Sequence, residues 1–187
     1  TPNGGTATSG VYNFCGSGST VLSVSGSSTG LGLSYQWQSA PSATGPWTSI
    51  SGVTSESYTT PSLSTTTYYQ RLISCSNSGL SNVSDTTIVN INAIPSVSVT
   101  PTSYSSCTSP AATSLTGSGA STYAWSPATG LNATTGASVN ASVTSSTVYT
   151  VTGTSTEGCT GTATASVNLN YSPAAPTTTN YSICLNG

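Results

Sequence analysis

Five cysteines, Cys15, Cys75, Cys107, Cys159 and Cys184, are the side chains of this 187-residue sequence best equipped for chemistry near neutral pH. Few others qualify. The sequence has no His and no Lys, and its formal charges are confined to Arg71, Glu56, Asp85 and Glu157. Catalysis by proton transfer or nucleophilic attack needs a group that titrates or can be activated near pH 7. A Ser-His-Asp triad cannot be assembled here, and neither can a His-bearing metal centre. A pair of carboxylates of the glycosidase kind would require two of Glu56, Asp85 and Glu157 to converge from distant positions. No catalytic residue, metal ligand or cofactor is therefore expected. Cysteines without histidine, in so polar a chain, suit disulfides in an oxidising extracellular setting better than a metal site. Five cannot all pair within one chain. At least one, most naturally Cys184 or Cys75, is expected to be free or bonded to another copy.

The remaining candidates are weaker. Trp47, in "TGPWTSI", could stack with Tyr58 on a sugar ring, or it could simply pack at the edge of a fold. Arg71 is expected as a rim or surface charge, near Glu56 or Asp85, where an ion pair contributes little. One cation cannot track a phosphate backbone, which excludes nucleic acid as a partner. No apolar run approaches the roughly 20 residues of a membrane helix, so membrane insertion is not expected. No signal peptide is visible and the sequence does not begin with Met, as expected of a mature product or an excised piece.

Ser and Thr make up about 40% of the chain, yet 34% of residues are apolar, and Val, Ile, Tyr and Trp recur in short alternating runs. Thr, Val and Tyr favour strands, while Gly, Pro, Asn and Ser punctuate turns. The expectation is a folded all-β chain with a hydroxyl-rich surface. It repeats itself. The first copy reads "YNFC" (12–15), "TVLSVSG" (20–26), "SYQWQS" (34–39), "TTYYQRLISC" (66–75) and "DTTIVNINAIP" (85–95). The second reads "YSSC" (104–107), "ATSLTGSG" (112–119), "TYAWSP" (122–127), "TVYTVTGTSTEGC" (147–159) and "TATASVNLNYSP" (162–173). A third begins with "YSIC" (181–184) as the sequence ends. Turns every 8 to 12 residues and period-two alternation give each copy the strand count of a sandwich. Domains are expected over 1–95 and 96–173, followed by a strand-like joint segment over 174–187.

The order Cys, Trp, Tyr, Cys in these copies carries a resemblance. "SYQWQSAPSATGPWTSISG" followed by "TTTYYQRLISC" resembles the immunoglobulin-like repeats of very large secreted bacterial surface proteins, including gliding-associated adhesins exported by the type IX system. "LTGSGASTYAWSPATGL" followed by "STVYTVTGTSTEGC" is similar to their PKD-like sister repeats, although Ser126-Pro127-Ala128 replaces the usual "GDG" turn. The resemblance implies two tandem immunoglobulin-like β-sandwich domains, stacked in arrays that form extracellular stalks or fibres. It makes Trp37 and Trp125 core anchors and Tyr69 and Tyr149 tyrosine-corner residues. "DTT" at Asp85–Thr87 resembles the O-glycosylation acceptor of the same bacteria, with Thr86 and Thr87 as candidate sites for covalent glycans.

For such domains the family pattern implies one staple per sandwich, Cys15 with Cys75 and Cys107 with Cys159. Strand geometry argues otherwise, because Cys15 and Cys75 fall near opposite ends of their sandwich, and a disulfide needs Cα atoms within about 7 Å. In a stacked array Cys15 could instead meet Cys159 of the next domain. Both pairings stand as expectations. The expected function is a structural repeat unit whose partners are copies of itself or adjacent repeats, joined head to tail by stacking, tail strand or disulfides, at a bacterial cell surface. The alternative is a carbohydrate- or surface-binding module using Trp47 and Tyr58.

Overall fold

The computed structural model describes residues 1–170, so the joint expected at 174–187, with Cys184, lies outside the described residues. The chain divides into two compact units, Thr1–Ile94 and the residues from Pro95 onward. Every regular element among the described residues is a strand, and the chain is all-β.

The first unit contains β1 (Thr6–Ser9), β2 (Asn13–Cys15), β3 (Val21–Ser25), β4 (Leu33–Ala40), β5 (Thr48–Ser49), β6 (Ser57–Thr59), β7 (Thr67–Cys75), β8 (Ser81–Val83) and β9 (Thr87–Asn92). One sheet has the order β1-β3-β6, and the other β2-β9-β7-β4-β5, with β8 also on β7. The second unit contains β10 (Ser98–Thr100), β11 (Ser103–Ser106), β12 (Ala111–Ser118), β13 (Thr122–Ser126), β14 (Ser138–Val143), β15 (Thr147–Thr154) and β16 (Thr160–Leu169). Its sheets run β10-β12-β14 and β11-β16-β15-β13. Position for position this is the wiring of the first unit without β5 and β8.

Alternation explains why each strand lies as it does. In β3, Leu22 and Val24 are buried while Val21, Ser23 and Ser25 are exposed; β14 buries Val139, Ala141 and Val143 between exposed Ser138, Asn140 and Ser142. Period two puts every second side chain on one face, and Ser and Thr occupy most outward positions. Trp37 packs with Leu22, Val24, Tyr69 and Val89 in one core. Trp125 packs with Leu115, Val139, Tyr149, Val151 and Val167 in the other. Both indoles are buried without leaving a donor unpaired: Trp37 Nε1 donates to Ser55 O and Trp125 Nε1 to Gly136 O, each at 2.9 Å.

Tyr69 and Tyr149 are likewise core residues. The tyrosine corner expected of Tyr149 does not form in the usual way, because its hydroxyl donates to Thr129 O, twenty residues upstream rather than a few. That bond ties the start of β15 to the segment after β13.

The repeated Tyr-x-x-Cys segment acquires a definite structural meaning. "YNFC" contains β2, which runs parallel to β9, the last strand of its unit, with Cys15 opposite Asn92. "YSSC" contains β11, which runs parallel to β16, with Ser106 opposite Leu169 and Asn170 N donating to Ser106 O. Cys15 ends a short strand rather than lying on a loop, because the parallel partner supplies acceptors that a loop would have to seek from water. Both of these Tyr-x-x-Cys segments therefore mark the end of their sandwich where the last strand leaves, called here the exit end.

The opposite end carries the β7–β8 and β15–β16 hairpins, and the second unit receives its chain there. Gly153 and Gly161 pair across β15 and β16. A Cβ on Gly161 would lie 2.2 Å from Pro95 O, and one on Gly153 would lie 2.6 Å from Val97 Cγ2. Only glycines let the incoming segment approach this closely.

Candidate functional site

Four of the five cysteines lie among the described residues, and they divide evenly. Cys15 and Cys159 are disulfide-bonded, whereas Cys75 and Cys107 are free thiols. The staples Cys15–Cys75 and Cys107–Cys159 are thus not formed, and the topology supplies the reason. In the second unit Cys107 follows a strand whose last residue is level with Leu169, while Cys159 immediately precedes β16. The two are separated by the length of that ten-residue strand, about 30 Å at roughly 3.3 Å per residue. In the first unit Cys15 is level with Asn92, and Cys75 N donates across the hairpin to Leu80 O, a comparable span. Neither pair comes near the Cα separation of about 7 Å that a disulfide tolerates.

The cysteines differ in their surroundings. Cys159 is fully buried in the turn of the β15–β16 hairpin, where its backbone N donates to Ser155 Oγ and its carbonyl accepts from Ser155 N. Cys107 is exposed and Cys75 is half-buried. Hydrogen bonds from the Ser78 hydroxyl and from the N–H groups of Ser78 and Asn77 hold the Cys75 thiol below its ordinary pKa. Such donors stabilise the thiolate, which is the reactive form. Gly79, at φ +68°, closes the turn that presents these donors, and Gly158, at φ +85°, does the same for the β15–β16 hairpin.

Arg71 overturns the expectation of a rim or surface charge. It is 3% exposed. On β7 it alternates with Tyr69 and Ile73, and it sits opposite Trp37 of β4, so it faces inward with them. Its guanidinium carbon lies 4.6 Å from the centre of the Tyr35 ring, a cation–π geometry. Nη2 donates to Ser27 Oγ at 2.6 Å and Nη1 to Ser55 O at 3.4 Å. Its backbone N donates to Ser84 Oγ and its carbonyl accepts from Ser84 N. Burial lowers its pKa, and the nearby Tyr35 and Glu56 act in the opposite sense. Ser27 follows β3 and Ser55 precedes β6, so the side chain ties one sheet to the other. A cavity of about 230 Å³ beside it is lined by Ser27, Thr29, Tyr35, Thr54 and Glu56.

The aromatic pair proposed to stack on a sugar is not assembled. Tyr58 lies on β6 and packs into the core, its ring centroid 6.2 Å from Trp37 and 6.1 Å from Tyr69. Burial raises the Tyr58 pKa and pushes that of Tyr69 up to about 12. Trp47 is half-buried and precedes β5 on the other sheet, with its ring against Gly45. Of the two glycan candidates, Thr86 is exposed in the break between β8 and β9, whereas Thr87 is half-buried and paired with Tyr69. No three His, Cys, Asp or Glu side chains come together among the described residues in a way that could hold a metal. No helix among them is long and apolar enough to cross a membrane.

The first unit matches a known family model. Its description is a domain of unknown function (DUF8696), and the match covers residues 3–93. No curated protein matches the chain in sequence. Among solved structures, the chain is similar to a marsupial T cell receptor, with a TM-score of 0.49 and 12% identity over 91% of this chain and 74% of that one. It is also similar to the N-terminal eight Ig domains of Down Syndrome Cell Adhesion Molecule isoform 1.30.30 (TM-score 0.40, 11% identity, 86% of this chain and 25% of that one). A third similar structure is a Ca2+-stabilized adhesin that helps an Antarctic bacterium reach out and bind ice (TM-score 0.37, 11% identity, 91% of this chain and 50% of that one). The chain thus spans a quarter and a half of the last two. The immunoglobulin-like sandwich rests on the strand order and registers described above.

Proposed function

We propose that this chain is a structural repeat unit of an extracellular bacterial filament or adhesin stalk, in which consecutive sandwiches are joined covalently through Cys15 and Cys159. The observation that carries the reading is the division of the cysteines into two bonded and two free thiols. Each cysteine makes one disulfide. In this reading Cys15 and Cys159 are each other's partners, and Cys75 and Cys107 are left free. Connectivity within each unit supports the bond: Cys15 is level with Asn92, just before the junction at Ile94, and Gly161, two residues from Cys159, packs against Pro95 just after it.

The mechanism is mechanical. A disulfide at the junction limits how far two sandwiches can separate or rotate under load. An array of such units is stabilised by neighbour interfaces as well as by each unit. The hydroxyl-rich surface, whose charges are limited to a few carboxylates such as Glu56, Asp85 and Glu157, fits a molecule exposed to proteases, and glycans on Thr86 would add solubility. The gliding-associated, type IX-exported repeats of the resemblance above are the class of surface protein proposed. Negative-stain electron microscopy of the oxidised protein tests the reading. Pairs of sandwich-sized beads held at one fixed spacing are expected, loosening to a spread of spacings on reduction, and the same spread in the oxidised protein would contradict it.

A further inference from the structure

The two free thiols repeat the placement of the two bonded cysteines. Cys107 follows β11 at the exit end of the second unit as Cys15 ends β2 at the exit end of the first. Cys75 lies on the β7–β8 hairpin as Cys159 lies on the β15–β16 hairpin. Resting on the reading that Cys15 and Cys159 close one joint, we infer that Cys107 and Cys75 are the two halves of the next: Cys107 of one copy of this chain forms a disulfide with Cys75 of a second copy, head to tail.

The hairpin cysteines are not strictly equivalent, and the difference is small enough to leave the joint intact. Cys75 is on the outgoing arm, its N–H donating to Leu80 O, while Cys159 is on the returning arm and accepts from Ser155 N. Cross-strand neighbours point to the same face of a hairpin, with Cβ atoms about 5 Å apart. Both thiols therefore serve the same surface of the hairpin end. Accessibility agrees, since Cys107 is exposed and Cys75 is half-buried. The donors of Ser78 and Asn77 around Cys75 also favour its thiolate, which is the attacking species in disulfide exchange. An exit-end thiol joined to a hairpin-end thiol is a heterologous contact, which extends rather than closes.

The oxidant is a small-molecule disulfide of the glutathione class. The Cys75 thiolate attacks one sulfur of oxidised glutathione, expelling one glutathione thiolate and forming a mixed disulfide. The Cys107 thiolate of the second copy then attacks the Cys75 sulfur and expels the other glutathione. Two protein thiols are oxidised, one glutathione disulfide is reduced to two thiols, and the two protein protons end on those thiols.

The test is to incubate the full chain with oxidised and reduced glutathione and resolve it without reductant. A ladder of multimers that collapses on reduction is expected. Cys75→Ser and Cys107→Ser should each stay monomeric, with near-UV circular dichroism like that of the parent. An equimolar mixture of the two variants should give dimer and nothing longer, because each partner retains one half of a single joint. The inference is overturned if either variant still forms the ladder, if the mixture stays monomeric, or if Cys184→Ser alone abolishes the ladder. Digestion of the same samples without reduction separates this inference from the reading beneath it. A Cys15–Cys159 peptide without a Cys75–Cys107 peptide defeats only the inference. Loss of the Cys15–Cys159 peptide defeats the reading itself.

Discussion

The two units share one wiring and solve the problem of a core in different ways. The second unit is filled almost entirely by aliphatic and small residues around Trp125 and Tyr149. The first buries fewer apolar residues, and all five buried polar residues among the described residues belong to it: Thr20, Thr60, Gln70, Arg71 and Ser84. Each of these is hydrogen-bonded. Thr60 Oγ1 accepts from Thr20 N, Gln70 Nε2 donates to Gln38 Oε1, and Ser84 Oγ serves Arg71 N. The contrast teaches that strand order and an indole on β4 or β13 define the sandwich, while the filling around them is free to be greasy or polar provided that every buried donor finds a partner.

Removing the shared element is expected to have the largest effect. Trp37→Ala and Trp125→Ala should each cost about 3–5 kcal/mol, read from denaturant midpoints with each unit followed by its own remaining probes. A loss below about 1 kcal/mol at either site would break the equivalence of the two cores. Next comes the element that distinguishes them. Arg71→Ala leaves a cavity and strands the Ser27 and Ser55 acceptors, for an expected loss of about 2–4 kcal/mol. Arg71→Met, which keeps the volume, should cost markedly less, and equal losses would show that charge rather than filling holds the sheets together.

Effects of the third rank test the crowded side of the second unit. Gly161→Ala places a methyl group 2.2 Å from Pro95 O, and a cost of about 1–3 kcal/mol confined to the second unit is expected by denaturation. The smallest effect is in pH. Tyr69 is held up to about 12 by burial, so the folded first unit keeps a proton that the unfolded chain releases near its ordinary value of 10.0. Its contribution to stability is complete below pH 10 and declines between about pH 10 and 12. Melting temperatures recorded over that range should fall, and Tyr69→Phe should flatten the fall.

Much of this fold was legible because the repeats fixed it twice. "SYQWQS" and "TYAWSP" announce β4 and β13 through a Trp in an alternating run, and "TTYYQRLISC" announces β7. Less was legible where strands are short. Ser57–Thr59 forms β6 with three residues, too few for alternation to speak, so Tyr58 stands in the sequence as a candidate ligand contact rather than a core aromatic. Arg71 was misjudged because a lone cation is ordinarily solvated. Its spacing of two from both Tyr69 and Ile73 was the available signal, since it assigns all three to one face. The cysteines were partly legible. Their distance along the strands argued against one staple per sandwich, but the parallel pairing that sets Cys15 and Cys107 at the exit ends has no local sequence signature.

The central claim is that covalent joints, rather than staples within each sandwich, are what these cysteines make. Peptide mapping of freshly isolated, unreduced monomer by mass spectrometry tests it most directly. The account predicts a cross-linked peptide containing Cys15 and Cys159, with Cys75 and Cys107 both open to alkylation. A peptide joining Cys15 to Cys75, or Cys107 to Cys159, would contradict it.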